Sequence, residues 1–290
     1  MLVPVLRLLA RMPLRWLHGV GAALGWVVYG VSPTYRARLK ENLFASGVCT
    51  SKNARRSLLR QAIAEAGKGV AELIAIWFGT EEKVSDLVVC NDWTLAEEAQ
   101  RGGRGIIFLT PHLGCFEISS LYGAQRLALT VLYRPPKLSW LQPLMIAGRQ
   151  RWRARLVPAS FAGVRALYRA LQRGEAVGLL PDQAPGAGEG AWADFFGRPA
   201  YTMTLVHRLQ RATGAAVIMA FAERLPRGRG YLLHLESVPA ENLDETALNA
   251  AVERSVRRCP AQYLWSYNRY KIPAGAPEPR MKAEGGRRKE

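Results

Sequence analysis

The 290-residue sequence predicts an α/β fold: a single domain with a central mixed sheet flanked by helices on both faces, preceded by an N-terminal membrane-associating helix. Three observations predict it. Short runs rich in β-branched and aromatic residues, bounded by turn residues, recur at 106–109, 129–133, 176–180, 215–222 and 231–237. Segments of helical period separate them, the alternation expected of a sheet covered on both sides. With 49 % hydrophobic residues the chain can bury one large core, and no internal repeat divides it.

Residues 1–31 form a basic start, with Arg7, Arg11 and Arg15 spaced to place three cations along one helical face. The uninterrupted apolar part, 16–31, has sixteen residues and includes His18, short of the ~20 a membrane span needs. Gly30-Val31-Ser32 is a poor cleavage site, so the segment is expected to stay attached and to lie in, or dip into, the cytoplasmic leaflet. A helical pattern covers 35–78. A short helix at 93–101 leads through Gly102-Gly103 into the strand 106–109, and a further helix starts near Cys115.

After the strand 129–133 comes the stop Arg134-Pro135-Pro136, then expected helices at 138–155 and 164–173. The strand 176–180 opens into a twenty-residue stretch, 181–200, read as a loop; a loop of that length carrying Trp192, Phe195 and Phe196 argues for a functional segment. A helix at 202–213, two strands around the basic turn 224–229 and a helix at 245–258 complete the pattern. Expected boundaries are 1–31 for the membrane-associating segment, 32–273 for the main domain and 274–290 for a basic, disordered tail.

A formal charge of +17 and a pI near 10.3 call for an anionic partner: nucleic acid, an anionic membrane surface or a phosphorylated substrate. No nucleic-acid-binding module or regular interleaving of aromatics on a basic face is present, so nucleic acid is not expected. The four cysteines, Cys49, Cys90, Cys115 and Cys259, have neither CxxC nor metal-ligand spacing, and reduced thiols without a metal site follow. Cys115 is a better small apolar residue than a nucleophile, and no GxSxG elbow occurs.

The stretch with chemistry is Gly105–Glu117, GIIFLTPHLGCFE. His112 falls where the chain leaves a buried strand, and Glu117 on the first turn of the next helix. On a continuous helix five residues would separate the two side chains by ~140°, so they can pair only with His112 in a turn at Gly114. A carboxylate behind an imidazole makes a general base for a hydroxyl. Pro111-His112, Tyr133-Arg134-Pro135 and Pro181-Asp182-Gln183 all follow strands and can converge on one sheet edge.

HLGCFE, YRPP, GRQR, LLPDQAPG, DFFGRPAYT and PAQYLWSYNRYK, in that order, resemble the late acyltransferases of lipid A biosynthesis, within the lysophospholipid acyltransferase superfamily. The resemblance reaches to about Pro273. It implies an enzyme of the inner membrane, its catalytic domain on the cytoplasmic face, moving an acyl chain from acyl carrier protein to a hydroxyl of a lipid A precursor. It implies His112 and Glu117 as the catalytic dyad, and matches Arg134, Arg149 and Asp182 to later motifs. The substrate-binding set is then Arg134, Arg149, Asp182, Gln183, Phe195 and Phe196, the last two with Trp192 and Tyr201 as walls for the acyl chain. Charge on the carbonyl oxygen would be met by Arg134 or by backbone N–H groups after His112. A thioester is already activated, so neither cofactor nor covalent intermediate is required. Two alternatives stand beside this reading: an acyl-CoA-dependent glycolipid or lysophospholipid O-acyltransferase, and a basic membrane-binding protein with no activity.

Overall fold

A computed structural model describes residues 2–136 and 138–279. Its N-terminal third is helical: α1 (Leu2–Leu9), α2 (Leu14–Val31), α3 (Pro33–Ala45), α4 (Lys52–Ala71), α5 (Leu73–Phe78) and α6 (Glu81–Asp86). Pro13 breaks the expected continuous start, since proline removes an N–H and clashes with the preceding turn. Arg11 therefore sits in the break, and Arg7, Arg11 and Arg15 do not share one helix. Lys83 caps the break by donating to the carbonyls of Ala10 and Met12. Helix α2 crosses α4 on glycines: a Cβ on Gly67 would lie 2.0 Å from the Gly21 oxygen, and one on Gly25 would lie 2.3 Å from the Ile63 oxygen. Among the described residues no helix is long and apolar enough to cross a membrane. Helix α2 nevertheless exposes Trp16, Val20, Leu24, Val27 and Val31.

The remaining strands and helices alternate: β1 (Val88–Cys90), α7 (Trp93–Arg101), β2 (Ile106–Leu109), α8 (Phe116–Arg126), β3 (Leu129–Tyr133), α9 (Leu141–Arg149), β4 (Ala154–Pro158), α10 (Phe161–Gln172) and β5 (Ala176–Leu179). A hairpin, β6 (Gly190–Phe195) and β7 (Arg198–Met203), precedes α11 (Leu205–Thr213), β8 (Ala216–Arg224), β9 (Tyr231–Ser237) and α12 (Glu245–Arg258). Seven strands form one sheet in the order β1-β9-β8-β2-β5-β3-β4. All neighbours are parallel except β8 and β9, so the sheet is mixed.

Alternation along the strands feeds two cores. Ile106, Phe108, Ile218 and Ala220 pack with α7, α8 and α5 on one face. Ile107, Leu109, Val217 and Met219 pack with α3, α4, α10, α11 and α12 on the other. Strands buried on both faces read as continuous apolar runs, which is why the central ones were plain in the sequence.

Two segments differ from expectation. The helix expected over 138–155 ends at Arg149, and residues 154–158 form an edge strand beside β3, with Leu129 opposite Ala154. Arg153 and Arg155 face solvent while Ala154 and Leu156 pack inward, a period of two that charge density obscured. The loop expected over 181–200 holds the β6–β7 hairpin, closed by Phe196-Gly197 between Phe195 and Arg198. Both turn residues have positive φ, 48° and 71°, as a two-residue hairpin turn requires. A phenylalanine rarely takes that conformation, so the turn gave no signal. Its strain is offset by burial of the ring against Phe195 and Trp265 and by an N–H bond to Glu253 at 2.6 Å. From the expected tail, residues 274–279 are described, and Trp192 Nε1 donates to the Pro277 carbonyl at 2.7 Å. Residues 280–290 lie outside the described residues.

Candidate active site

The site is assembled by sheet register. In the parallel pair β2–β5, Leu109 lies opposite Leu179, and Thr110 N–H continues the ladder to the Leu179 carbonyl. Three residues beyond that last pair on each strand stand His112 and Asp182. After β2 the chain passes to α8 on one face; after β5 it passes to the hairpin and α11 on the other. Adjacent strands whose connections leave to opposite faces open a crevice at their carboxyl ends, and the imidazole lies there.

His112 is held at three points. Its Nδ1 is 2.9 Å from Asp182 Oδ1, and its backbone N–H donates to Asp182 Oδ2 at 2.9 Å. Gln183 Nε2 lies 3.1 Å from Nε2 of the ring. A buried carboxylate can only accept, so Nδ1 carries the proton, and the Nε2 lone pair receives the Gln183 amide. Burial alone would raise the Asp182 carboxyl; the imidazole and the hydrogen bonds from His112 outweigh it and hold the group below its ordinary value. The Phe116 ring packs 4.8 Å from the imidazole.

Glu117 does not hold the imidazole. It is buried, and Arg149 grips it bidentately, Nε at 3.0 and 2.9 Å and Nη2 closer still, while Trp77 Nε1 donates at 3.1 Å. The guanidinium also lies over the Trp77 ring at 5.6 Å. Glu117 thus ties the first turn of α8 to α9 and α5. Arg149, expected to meet substrate, spends its charge on this pair. Gly148 makes room for it: a Cβ there would fall 2.3 Å from the indole of Trp77. Arg151 likewise closes the end of α5, donating to the carbonyls of Ile76, Trp77 and Gly79.

Arg134 stands at the carboxyl end of β3, exposed, and among the described residues it has no ion-pair or hydrogen-bond partner. The register of β3 with β5 sets it level with Pro181, one residue before Asp182. Phe195 and Phe196 are only 2 % and 6 % exposed and pack among Tyr263, Trp265 and Tyr270. Tyr201 is buried as well. They belong to the core beneath the hairpin rather than to a channel. A small apolar cavity of about 20 Å³ lies instead on the α8 side of the sheet, lined by Trp93, Phe108, Thr110, Ser119 and Leu129 among others.

The first three backbone donors after His112 are already used: Leu113 N–H meets the Pro111 carbonyl, Gly114 N–H that of Gln262, and Cys115 N–H that of Ala222. The C-terminal segment, matched in sequence without an assigned role, forms the back of the site. Leu264 N–H donates to the His112 carbonyl at 3.0 Å, and the Tyr267 hydroxyl accepts from Ala184 N–H at 3.1 Å. Among the described residues no group of three or more His, Cys, Asp or Glu could hold a metal ion.

Fold and site together define an α/β protein with a carboxylate-held histidine at the switch point of its sheet, a geometry suited to proton transfer during group transfer. The chain belongs to the bacterial lipid A biosynthesis acyltransferase family, whose model matches residues 1–272. It is 26 % identical over 287 residues to the lipid A biosynthesis lauroyltransferase of Escherichia coli K12, covering 95 % of this chain and 92 % of that protein. The palmitoleoyltransferase of the same organism is 25 % identical over 76 % of this chain and 74 % of its own length. Its myristoyltransferase is 24 % identical over 89 % and 81 %.

Proposed function

We propose that this protein transfers a fatty acyl chain from the thioester of acyl carrier protein to a hydroxyl group of a lipid A precursor, with His112 as general base. The observation that carries the reading is the imidazole fixed by buried Asp182 through Nδ1, with Nε2 turned to the crevice. The acceptor hydroxyl replaces the Gln183 amide at Nε2 and gives up its proton there as its oxygen attacks the thioester carbon. The carbon–sulfur bond then breaks, and the thiolate leaving group takes the proton back from Nε2. Asp182 keeps the tautomer and stabilises the imidazolium, the part first expected of Glu117. Arg134 and the displaced Gln183 amide face the charge that forms on the carbonyl oxygen.

Arginine-rich surfaces favour an acidic carrier protein and a phosphorylated acceptor. The apolar side chains exposed on α2 support docking on an anionic membrane, with the crevice on the cytoplasmic side. The test is transfer of labelled acyl chains of several lengths, supplied either on acyl carrier protein or as acyl-CoA, to lipid A precursor, using membranes that contain wild type or His112→Ala. Label moved by the wild type alone supports the reading. Equal transfer by both rejects the base, and transfer only from acyl-CoA rejects the donor.

A further inference from the structure

We infer that Arg224 is a positioning residue for the transfer reaction and that, through it, helix α2 is part of the scaffold that sets His112; the inference rests on the base assignment proposed above. The turn carrying His112 has left its strand, so its position depends on what grips it. The grip centres on Gly114. Its φ is +60°, and a Cβ would lie 2.0 Å from the Ala222 oxygen, so the end of β8 packs directly on the turn. The Gly114 carbonyl accepts from Arg224 Nη2 at 2.7 Å. Gln262 closes the ring: its carbonyl takes Gly114 N–H at 3.1 Å, and its amide bonds Arg224 N–H at 2.8 Å and the Arg224 carbonyl at 3.1 Å.

A buried guanidinium needs a counter-charge, and Glu72 supplies it, with Arg224 Nε 2.8 Å from Oε2 and Nη2 2.6 Å from Oε1. The same carboxylate accepts from the Tyr231 hydroxyl at 2.9 Å and meets His18 Nε2, on α2, at 3.1 Å. Helix α4 leaves space at Gly69, where a Cβ would lie 3.0 Å from Arg224 Nη2. One carboxylate therefore joins α2 to the sheet and, through Arg224, to the histidine turn. A buried ion pair is often no more stabilising than well-packed apolar residues of the same volume. What this cluster adds is a fixed direction for the Gly114 carbonyl, two residues from the base, where misplacement by about 1 Å can cost ~10²-fold in rate.

The test uses full-length protein in detergent. Arg224→Lys keeps the charge but loses the planar fork that holds Glu72 and Gly114 together. It is expected to lower kcat about ten-fold or more with KM within about two-fold, and to change the rate of His112 carbethoxylation by diethyl pyrocarbonate about three-fold, measured on the His112 peptide by mass spectrometry. His18→Leu, which leaves the Arg224–Glu72 pair in place, is expected to move both readouts in the same direction by a smaller factor. Folded Arg224→Lys with both values unchanged overturns the inference. If Arg224→Lys does not fold, His18→Leu and Gln262→Ala decide on the same readouts, and unchanged values overturn it. Carbethoxylation needs no substrate, so a wild type that transfers no acyl chain would reject the proposed function while the coupling is still measured.

Discussion

At the scale of single residues, the site turns on which carboxylate serves the imidazole. Asp182 does so in the structure, and Glu117 is engaged by Arg149 and Trp77. The two carboxylates should therefore fail differently. Asp182→Asn is expected to lower kcat by ~10²–10⁴, the range for loss of assisted proton transfer, with little change in thermal unfolding. Glu117→Gln leaves a mostly buried guanidinium without its partner and is expected to cost about 3 kcal/mol of stability, seen as a lower unfolding midpoint. A variant of Glu117 that is fully stable yet inactive would return the glutamate to the chemistry. Phe195 offers a parallel contrast. As a core side chain, Phe195→Ala should cost ~3–5 kcal/mol and leave the preferred acyl length unchanged. A shift in chain-length preference at full stability would make it a wall of the acyl site.

Among elements, the seat of α2 on α4 sets how the N-terminal segment joins the domain. Gly67 lies against the Gly21 and Gly25 backbones, so Gly67→Ala must force the helices apart, at a cost of ~1–3 kcal/mol measurable by chemical denaturation. The charge that joins these elements to the sheet is Glu72. Burial by itself would raise its pKa; Arg224 and His18 more than reverse this and bring it from 4.5 to about 2. A depressed carboxylate contributes stability that is complete above its ordinary value and is lost as pH falls toward its folded value. The gap in denaturation midpoint between wild type and Glu72→Gln is thus expected to be widest above pH 5 and to narrow between about 5 and 2. A gap independent of pH would show that folding leaves the Glu72 pKa unchanged, and one that narrows as pH rises would show it raised; either result contradicts the pairing with Arg224.

For the molecule as a whole, two features act together: a formal charge of +17 and an apolar strip on α2, where Trp16 is 59 % and Leu24 53 % exposed. In the membrane docking proposed above, attraction of this charge to an anionic surface would weaken with salt, whereas apolar insertion would not. Burying two such side chains in lipid is worth roughly 1.5–3 kcal/mol each. Trp16→Asp combined with Leu24→Asp is therefore expected to reduce co-sedimentation with anionic vesicles at high salt by about ten-fold or more. Undiminished binding would place the membrane contact elsewhere on the surface.

The alternation of apolar runs and helical segments was enough to read an α/β protein, to place strands β2, β3 and β9 and helices α7 and α12, and to put His112 at a strand end. Those are local signals: periodicity, turn residues and capping depend on neighbours within a few positions. The ordered motifs from HLGCFE to PAQYLWSYNRYK carried the family as well. The partner of the histidine was a different matter. Glu117, five residues away, looked nearer than Asp182, 70 residues away, yet the second makes the contact. That outcome depends on β5 inserting between β2 and β3 in register, a choice governed by burial of both sheet faces over the whole chain. The same holds for the β6–β7 turn, where packing against Trp265 and Glu253 sustains a conformation that Phe196 disfavours, and for Arg224 at the end of β8, which meets Glu72 after α4, Gly114 in the histidine turn and Gln262 in the C-terminal segment. Patterns along the chain determined which elements form and what kind of side chain ends each strand. Which of those side chains meet was decided by tertiary packing, because strand order and helix seating follow from the summed burial of distant residues.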